Sequence, residues 1–571
     1  MPQPTPMPFP AAALGADEVF DVAVIGAGGA GLSAALFAAI DGARVLLIES
    51  TEFVGGSTAY SAGTTWIPGT QLGTTVNPED TLARAAAFLD HAVGARAERS
   101  LREAFLAHGA AAVAKVQANS HLQYRARPLH PDYLSELEGS TLCGRALEPL
   151  PFDGRLLGEH FALVRPPIPE FTVLKGMMVD RDDIAHLLKL KQSFTSFLYA
   201  ARIVLRHIAD RLRYPRGTRL LMGNALVGRL LLSLRERGVA LMTRTSVTAL
   251  ERDASGTVAS LSLQQGGDTR SVRIRGGVIL ASGGFNRHPR HRAARLPGID
   301  AAWCPGAPGH TGAAHELAER LGAHYGATGL SDCFWAPVSI RRRGDGSTAV
   351  FPHFVFDRAK PHTLCVDASG QRFVNESTSY HLMGIAMQPG HVPAHLIADA
   401  QGMKKYGLGM VRPGSMGLAS ALKDGYVKSG ATLTELAANL GLPRGALEQS
   451  VARLNQFAAT GIDADFGRGS TAYQRANGDA AWSGKNPSLG ALEQAPFYAV
   501  KLYPGDIGAS TGFATDAKAR ALDSSGAPIA GLYAVGNDMH SPMGGVYPAP
   551  GITLGPGFVF AYLAAKDAVA K

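Results

Sequence analysis

The sequence predicts an α/β fold in which a largely parallel sheet is assembled from distant parts of the chain. Three observations predict it: apolar strands run into glycines at residues 18–26, 278–284 and 531–536. Buried parallel strands typically appear as near-continuous apolar, β-branched runs. With 46% apolar and 18% charged residues among 571, the chain can form packed cores, which excludes a disordered or collagen-like protein.

The first of these strands begins a βαβ unit. Residues 18–26 read as a strand, residues 32–43 as a helix closed by Gly42, and residues 44–48 as a second strand that ends at Glu49. Glu49 lies 18 positions after Gly31, close to the separation of about 20 found in dinucleotide-binding units. The order of strand, glycines, helix, strand and acidic residue predicts a Rossmann-type nucleotide-binding domain.

Each glycine of the turn has a separate physical task. Gly26 permits the tight turn, Gly28 lets a pyrophosphate approach the backbone, and Gly31 allows the helix to pack closely on the strand. The helix N-terminus favours the anion. Glu49 is predicted to accept hydrogen bonds from the two hydroxyls of an adenosine ribose.

A second segment of small residues follows soon after Glu49, at residues 55–58 and 61–65. Such a segment suits a chain laid against a pyrophosphate and a flavin ring. Together with the three strand-to-glycine transitions, it predicts that distant segments surround one large cofactor.

On these residues the chain resembles the flavoprotein family that contains succinate dehydrogenase, fumarate reductase and the 3-ketosteroid dehydrogenases, over nearly its whole length. The resemblance implies a Rossmann-type FAD-binding domain with an inserted α+β catalytic cap domain. The expected division is a disordered start at 1–18, FAD-binding segments at 19–286 and 501–571, and the cap at 287–500. The residues implied to bind FAD are Gly26, Gly28, Gly29, Ala30, Gly31, Glu49, Ser50, Gly56, Ser57, Thr58, Gly63, Val247, Ala281, Gly283, Gly536, Asn537, Thr553 and Leu554.

The mode of flavin attachment is a further expectation. Covalent members of the wider family use a histidine shortly after the glycine-rich segment, and residues 51–70 contain none. The FAD is therefore expected to be bound non-covalently.

The C-terminal segment discriminates between branches of the family. A dicarboxylate substrate needs paired cations, because a buried carboxylate requires charge-assisted partners. No Arg or Lys occurs between Asp538 and Gly557, which disfavours succinate or fumarate as the substrate.

Residues 547–551 read Tyr-Pro-Ala-Pro-Gly and resemble the YPGPG segment of the 3-ketosteroid Δ1-dehydrogenases, with Ala549 in place of the middle glycine. The Tyr547 hydroxyl and the Gly551 N–H are expected to point at one carbonyl oxygen, as an uncharged oxyanion hole. The two prolines stiffen the segment and preset this geometry.

Residues 372–380, RFVNESTSY, resemble the family segment in which a tyrosine serves as base. The resemblance implies that Tyr380 removes a proton from C2 of a steroid. An ordinary tyrosine is a weak base at neutral pH, so a neighbouring phenol is expected to stabilise the phenolate by hydrogen bonding. Tyr133 is the first candidate for that neighbour and Tyr124 the second.

The expected activity is FAD-dependent 1,2-desaturation of 3-ketosteroids: proton loss from C2, hydride transfer from C1 to N5 of FAD, and electron transfer to an external acceptor. Two alternatives stay open. One is a Δ4-(5α) dehydrogenase or another flavin desaturase or reductase of the same fold. The other is a membrane-associated flavin electron-transfer subunit, against which the full set of tyrosines argues.

Residues 186–237 form a basic segment with eleven Lys/Arg against two acidic residues, interleaved with aromatic and aliphatic side chains at roughly helical spacing. A basic amphipathic helix suits an anionic membrane surface, so peripheral membrane binding by a cytoplasmic protein is expected. No nucleic-acid motif accompanies the charge. No secretory leader, transmembrane segment or metal site is predicted, and His310, His353, His362 and His395 are expected to be hydrogen-bonded structural residues.

Overall fold

The computed structural model describes residues 18–190, 192–388 and 390–570. The start at 1–18 that is predicted to be disordered therefore lies outside the described residues, apart from Glu18. The strands are β1 (Val19–Ile25), β2 (Val45–Ile48), β3 (Thr65–Trp66), β4 (Tyr124–Ala126), β5 (Ala146–Pro149), β6 (Phe152–Asp153), β7 (Thr172–Val173), β8 (Met177–Met178), β9 (Arg219–Leu220), β10 (Ala240–Met242), β11 (Thr245–Arg252), β12 (Val258–Gln265), β13 (Asp268–Leu280), β14 (Cys333–Arg342), β15 (Thr348–Pro352), β16 (Thr363–Val366), β17 (Ala394–Ala398), β18 (Val427–Gly430), β19 (Phe497–Ala509), β20 (Arg520–Leu522) and β21 (Pro528–Ala534).

The α-helices connect these strands and cover their faces. They are α1 (Gly29–Ile40), α2 (Gln71–Val76), α3 (Leu82–Val93), α4 (Arg99–Asn119), α5 (Arg181–Leu188), α6 (Phe194–Arg211), α7 (Met222–Glu236), α8 (Pro289–Arg295), α9 (Ala313–Arg320), α10 (Tyr380–Met387), α11 (Ala400–Tyr406), α12 (Leu418–Lys423), α13 (Leu433–Leu440), α14 (Ala446–Thr460), α15 (Ala472–Asn477) and α16 (Leu554–Val569).

The larger sheet brings the three predicted strands together. Its order is β10-β2-β1-β13-β12-β11, and β21 pairs with β13. Strands β10, β2, β1, β13 and β21 are parallel to one another, whereas β12 pairs antiparallel with β13 and β11. The α/β class and the assembly of this sheet from distant segments are confirmed. Val247, which the family resemblance implies to bind FAD, lies in β11.

Helix α1 follows β1 directly, as the glycine pattern predicts. Nine of its twelve residues are buried, and it packs against α16 and α7. Gly42 adopts a φ of 87° after the helix, a left-handed conformation that glycine adopts without strain.

A second, entirely antiparallel sheet lies in the inserted part of the chain. Its order is β15-β14-β19-β17-β16, and β18 also pairs with β19. The final strand β19 extends to Ala509, so the expected boundary at residue 500 falls within it.

The basic segment 186–237 forms more than one element. It contains the end of α5, all of α6, β9 and α7. Arg219 pairs with Asp183, while Arg229 donates to three backbone carbonyls. The aromatic and aliphatic side chains at helical spacing lie on α6, whereas the leucines of α7 are buried in the main core. Across the described ranges, no helix is long and apolar enough to cross a membrane.

Candidate active site

A single cavity of about 1980 Å³ lies against the carboxyl ends of the parallel strands and extends beneath the second sheet. All the residues predicted to bind the cofactor or to take part in the reaction line it, except Gly31. Ligand pockets commonly measure about 300–1000 Å³, so this cavity has room for a cofactor and a substrate together.

The glycine-rich turn has the geometry that a dinucleotide requires. A Cβ at Gly26, whose φ is 103°, would lie 2.4 Å from the Ala281 carbonyl oxygen, and a Cβ at Gly31 would lie 1.8 Å from the Gly26 oxygen. A Cβ at Gly28 would meet no protein atom within 4 Å. Gly31 therefore closes the helix against the strand, whereas Gly28 leaves the cavity wall open to a ligand.

Glu49 is positioned at the end of β2 by backbone and side-chain donors. One carboxylate oxygen accepts hydrogen bonds from the Thr51 N–H and hydroxyl at 2.9 and 2.8 Å, and the other accepts from the Ala27 N–H at 3.0 Å. The carboxylate is 93% buried but lines the cavity. Its remaining lone pairs are available to hydroxyl groups of a ribose.

The turn that follows β13 is fixed by Asp538, which the sequence analysis did not single out. Asp538 accepts hydrogen bonds from the N–H groups of Ser282 and Gly284 at 2.5 and 2.7 Å, and His315 lies 2.8 Å away. Although burial opposes it, the contact with His315 holds the pKa of Asp538 below its usual range. This carboxylate explains how Ala281 and Gly283 are held at the cavity wall.

The loop at residues 305–311 also reaches this part of the cavity, and the sequence analysis missed it. His310 is buried, its Nε2 lies 3.4 Å from the Ser57 hydroxyl, and its Nδ1 has no hydrogen-bond partner among the described residues. Arg287 donates to the carbonyls of Cys304, Gly306 and Ala307, which holds the loop in place. A nitrogen left free inside a polar cavity fits a site that a cofactor completes.

The expectation of four structural, hydrogen-bonded histidines is correct for His353 and His362, which have polar partners. It is wrong for His395, whose two ring nitrogens are unpaired in the described part of the chain. His310 differs again because it faces the cavity. Sequence spacing alone carries no signal that separates these environments.

Three tyrosines from distant segments meet at the other side of the cavity. The Tyr133 hydroxyl donates to the Tyr380 oxygen at 3.2 Å. The ring of Tyr547 stacks on that of Tyr133, with 5.7 Å between the ring centroids. It meets the ring of Tyr380 edge-on, with 5.2 Å between the centroids. Tyr124 lies outside this cluster, and its hydroxyl contacts Thr65 instead. Of the two candidates for the neighbouring phenol, the structure brings Tyr133 to Tyr380.

Backbone contacts connect Tyr133 to the Tyr-Pro-Ala-Pro-Gly segment. The N–H groups of Tyr133 and Leu134 donate to the Pro548 carbonyl at 2.7 and 3.2 Å. The preceding residue, Asp132, accepts from the Trp66 indole at 2.8 Å and pairs with Arg145 at 3.0 Å. Tyr133 is therefore fixed on both sides by buried hydrogen bonds.

Gly551 completes the same wall. Its φ is 86°, and an added Cβ would lie 2.4 Å from the Thr64 carbonyl oxygen, so the position requires glycine. The Gly551 N–H makes no hydrogen bond within the described ranges, although the residue lines the cavity. It is therefore available to a ligand oxygen in the cavity that Tyr547 also lines.

Tyr380 begins α10, and the RFVNES residues before it hold that helix in place. Arg372 pairs with Glu376 at 2.9 Å and with Asp463 at 2.9 Å, and Arg468 also pairs with Glu376. These charges are almost completely buried, so each needs its partners to offset desolvation. The motif thus has a positioning role in this chain, with the phenol of Tyr380 at its end.

The protonation of the tyrosine cluster departs from the expectation of a stabilised phenolate. Burial raises the pKa of both Tyr133 and Tyr380 well above the ordinary value of about 10. Near neutral pH both are neutral phenols in the cavity without ligands. The nearby His381 is neutral as well, because burial lowers its pKa to about 4.

Comparison with known proteins gives a consistent result. The family described as "FAD binding domain" matches residues 21–554. A 3-oxosteroid 1-dehydrogenase of Mycolicibacterium smegmatis is 35% identical, with 97% of this chain and 98% of its own covered. A 4-oxocyclohex-2-ene-1-carboxylate 5-dehydrogenase of Sinomonas cyclohexanicum is also 35% identical, with 96% and 93% covered.

A solved structure agrees with the sequence relatives. The crystal structure of 3-ketosteroid delta1-dehydrogenase from Sterolibacterium denitrificans in complex with 1,4-androstadiene-3,17-dione superimposes with a TM-score of 0.89 at 31% identity. The match covers 97% of this chain and 100% of that chain.

Proposed function

Because the chain belongs to the FAD-binding flavoprotein family that includes the 3-oxosteroid 1-dehydrogenases, we propose that it introduces a double bond between C1 and C2 of 3-ketosteroids. The observation that carries the proposal is the meeting of Tyr133, Tyr380, Tyr547 and Gly551 on one wall of the cofactor cavity. The reaction removes a proton from C2 and a hydride from C1.

Residues of the glycine-rich turn, Glu49 and the turn that Asp538 holds bind FAD. FAD held by these residues would supply a two-electron acceptor for the hydride from C1, to be reoxidised by an external acceptor. The free Nδ1 of His310 and the open space over Gly28 support this placement.

The ketone oxygen is bound between the Tyr547 hydroxyl and the Gly551 N–H. Both donors are uncharged, and the prolines between them restrict the backbone. Hydrogen bonds to this oxygen strengthen as it acquires enolate character, so they stabilise the transition state more than the bound ketone. This polarisation acidifies the C2–H bond.

The proton from C2 passes to the Tyr380 oxygen. Because Tyr380 is a neutral phenol, its own proton must first leave to solvent through the cavity. The Tyr133 hydroxyl, which donates to the Tyr380 oxygen at 3.2 Å, stabilises the resulting phenolate. The C2 proton then neutralises this phenolate, so that one proton leaves the site in each turnover.

The same chemistry on a smaller ring ketone is the second candidate, since the Sinomonas relative is named for a cyclohexene carboxylate. The cavity of about 1980 Å³ favours the larger steroid. Values of kcat/KM for 4-androstenedione and for 4-oxocyclohex-2-ene-1-carboxylate decide between them.

An anaerobic titration tests the proposal. Addition of 4-androstenedione should bleach the FAD absorbance and yield the 1,4-diene. A Δ4-(5α) dehydrogenase would instead respond to a steroid saturated at C4–C5, and an electron-transfer subunit would respond to neither steroid. Lack of bleaching by any 3-ketosteroid would contradict the proposed function.

We further propose that the enzyme binds membranes peripherally through α6. Phe194, Leu205 and Leu212 are 75%, 65% and 83% exposed, and Phe197, Leu198 and Ile208 are exposed as well. The cations Arg202, Arg211 and Arg213 are also exposed around this helix. An apolar face flanked by cations favours an anionic lipid surface.

The position of this surface supports the proposal. Leu187 and Leu190 precede α6 and line the cavity, as does Val204 within the helix. A sterol that leaves the bilayer beside α6 would therefore reach the cavity without crossing water, which apolar molecules disfavour.

Flotation with anionic liposomes tests membrane binding. The variant Phe194→Ser/Phe197→Ser/Leu198→Ser should lose flotation, whereas Ile462→Ser, which changes an equally exposed side chain elsewhere (70%), should retain it. Deletion of the whole segment is unsuitable because α7 belongs to the core. Equal flotation of both variants would contradict a role for α6.

A further inference from the structure

The cavity continues beyond the tyrosine cluster along helix α15. The ring of Tyr473 lies 4.8 Å from that of Tyr133, and Ala476 and Asn477 line the cavity further along the same helix. At a rise of 1.5 Å per residue, Asn477 is roughly 6 Å along the axis from Tyr473. One wall therefore connects the reaction site to a more distant end of the cavity.

This distant end carries two cations without acidic partners. The Lys360 ammonium donates to the carbonyls of Asn477 and Gly478, each at 2.7 Å, which leaves one of its three N–H groups. Arg181 lines the cavity, and its guanidinium carbon lies 5.9 Å from the centroid of the Phe356 ring. Among the described residues, no carboxylate oxygen lies within ion-pair distance of either cation.

The closest acidic groups are already engaged. Asp479 pairs with Lys405 at 2.5 Å and accepts a hydrogen bond from Tyr406 at 2.7 Å. Asp180 caps the first turn of α5. Burial lowers the pKa of Lys360 to about 8 against the attraction of Asp479, and the charges of Arg181 and Lys405 lower it further. Among the described residues that line this end of the cavity, three cations (Arg181, Lys360 and Lys405) thus face two carboxylates (Asp180 and Asp479), so its net charge is positive.

A neighbouring hydroxyl is also unsatisfied. Tyr473 is 97% buried, and its hydroxyl has no hydrogen-bond partner within the described residues. It lines the same cavity between the reaction site and Lys360. A buried hydroxyl of this kind normally has a partner, and a polar group on a ligand can supply one.

We propose that Lys360 and Arg181 bind a carboxylate carried by the substrate at the end opposite its ketone, so that the enzyme prefers 3-ketosteroid acids over uncharged 3-ketosteroids. The proposal rests on the ketosteroid activity proposed above. A carboxylate can accept hydrogen bonds from a lysine and an arginine at once. It also restores the charge balance that the two cations lack.

A purely structural role for Lys360 is the alternative, since a lysine commonly caps the last carbonyls of a helix. The two roles predict different effects of a Lys360 substitution on charged and uncharged substrates. A helix cap affects all substrates alike, whereas a carboxylate site affects only the charged one.

The test compares 3-oxoandrost-4-ene-17β-carboxylic acid with its methyl ester, which has nearly the same shape but no charge. The wild-type enzyme should show a kcat/KM for the acid about tenfold or more above that for the ester, the size of one charge-assisted hydrogen bond. In Lys360→Met the ratio of the two values should fall about tenfold, toward unity. The control Lys423→Met changes an exposed lysine outside the cavity and should keep the wild-type ratio.

Arg181→Gln keeps the test decisive if Lys360→Met fails to fold, because Arg181 is exposed and forms no ion pair. It should also lower the acid-to-ester ratio. Turnover of 4-androstenedione without any preference for the acid would overturn this inference and leave the proposed function intact. Absence of turnover with every 3-ketosteroid would instead reject the proposed function itself.

Discussion

The hydroxyl groups of Tyr133 and Tyr380 lie 3.2 Å apart, although 247 positions separate the two residues in the chain. Both phenols are buried, and burial raises the pKa of each well above 10. Neither phenol alone ionises easily at neutral pH, so Tyr380 can act as a base only with the help of the hydrogen bond from Tyr133.

Replacement of Tyr380 by Phe should lower kcat by roughly 10²–10⁴-fold, the range that a general base contributes. The FAD spectrum should be unchanged because Tyr380 lies in the tyrosine cluster and not at the nucleotide end. Steady-state kinetics with 4-androstenedione and a flavin spectrum provide the measurement. A near-normal kcat would exclude Tyr380 as the base.

Substitution of Tyr133 by Phe should also reduce kcat, because it removes the hydroxyl that donates to the Tyr380 oxygen and stabilises its phenolate. Tyr124→Phe is the matched control, since Tyr124 is buried and hydrogen-bonded to Thr65 but lies outside the cavity. Single-turnover rates of flavin reduction should fall for the first variant and stay near wild type for the second. The reverse order would assign the assisting role to Tyr124.

The ketone site makes a different prediction. Tyr547→Phe removes one of two donors to the developing oxyanion and should lower kcat by about 100-fold, as loss of one oxyanion-hole donor does. Gly551→Ala should be at least as harmful, because its Cβ would lie 2.4 Å from the Thr64 oxygen at a φ of 86°. If Tyr547→Phe changed KM alone, the hydroxyl would bind the ground state and transition state equally.

Acid stability should depend on Asp357, which lies at the cavity wall 2.6 Å from His353. Although burial opposes it, His353 lowers the pKa of Asp357 from 3.8 to about 2. A lowered pKa stabilises the folded protein above pH 4, and the contribution of about 2 kcal/mol is lost as the pH falls from 4 to 2.

Urea unfolding of Asp357→Asn and wild type measures this effect. The two should differ by about 2 kcal/mol at pH 6, and the difference should shrink as the pH falls through 4 toward 2. A difference that stayed constant over this range would show that the carboxylate does not titrate as described.

Acid precipitation should release the yellow colour entirely into the supernatant. No histidine occurs in residues 51–70, where covalent relatives attach the flavin, so FAD is expected to dissociate when the fold is lost. Absorbance of the pellet after washing gives the result. Colour that stayed with the pellet would contradict non-covalent binding.

The features that were predicted correctly from sequence are those that residues close together in the chain determine. The turn at Gly26–Gly31, helix α1 and Glu49 follow from spacing, because neighbouring residues determine them. The contact between Tyr133 and Tyr380 could be anticipated only from resemblance to a family, since no spacing rule connects positions so far apart. The burial of the α7 leucines in the main core likewise depends on tertiary packing, which the basic composition of residues 186–237 does not indicate.

Residues such as His310, Asp538 and Lys360 were missed for a related reason. Each belongs to a loop or a helix end that reaches the cavity only after the chain has folded around it. Three features of the folded structure identify them. Among the described residues, His310 has an unpaired ring nitrogen and Lys360 has no carboxylate within ion-pair distance, while Asp538 accepts from two backbone N–H groups.

The hydrogen bonds from Tyr133 and Leu134 to Pro548 have one more consequence. They join the aromatic residue of the N-terminal part to the ketone-binding segment of the C-terminal part, whereas Tyr380 begins a helix packed on the second sheet. If the second sheet tilts away to admit a steroid, Tyr133, Tyr547 and Gly551 stay together, whereas Tyr380 withdraws only when the hydrogen bond between His381 and the Gly545 carbonyl, 2.9 Å long, breaks. The enzyme would then hold its substrate in register while open, and become reactive only on closing.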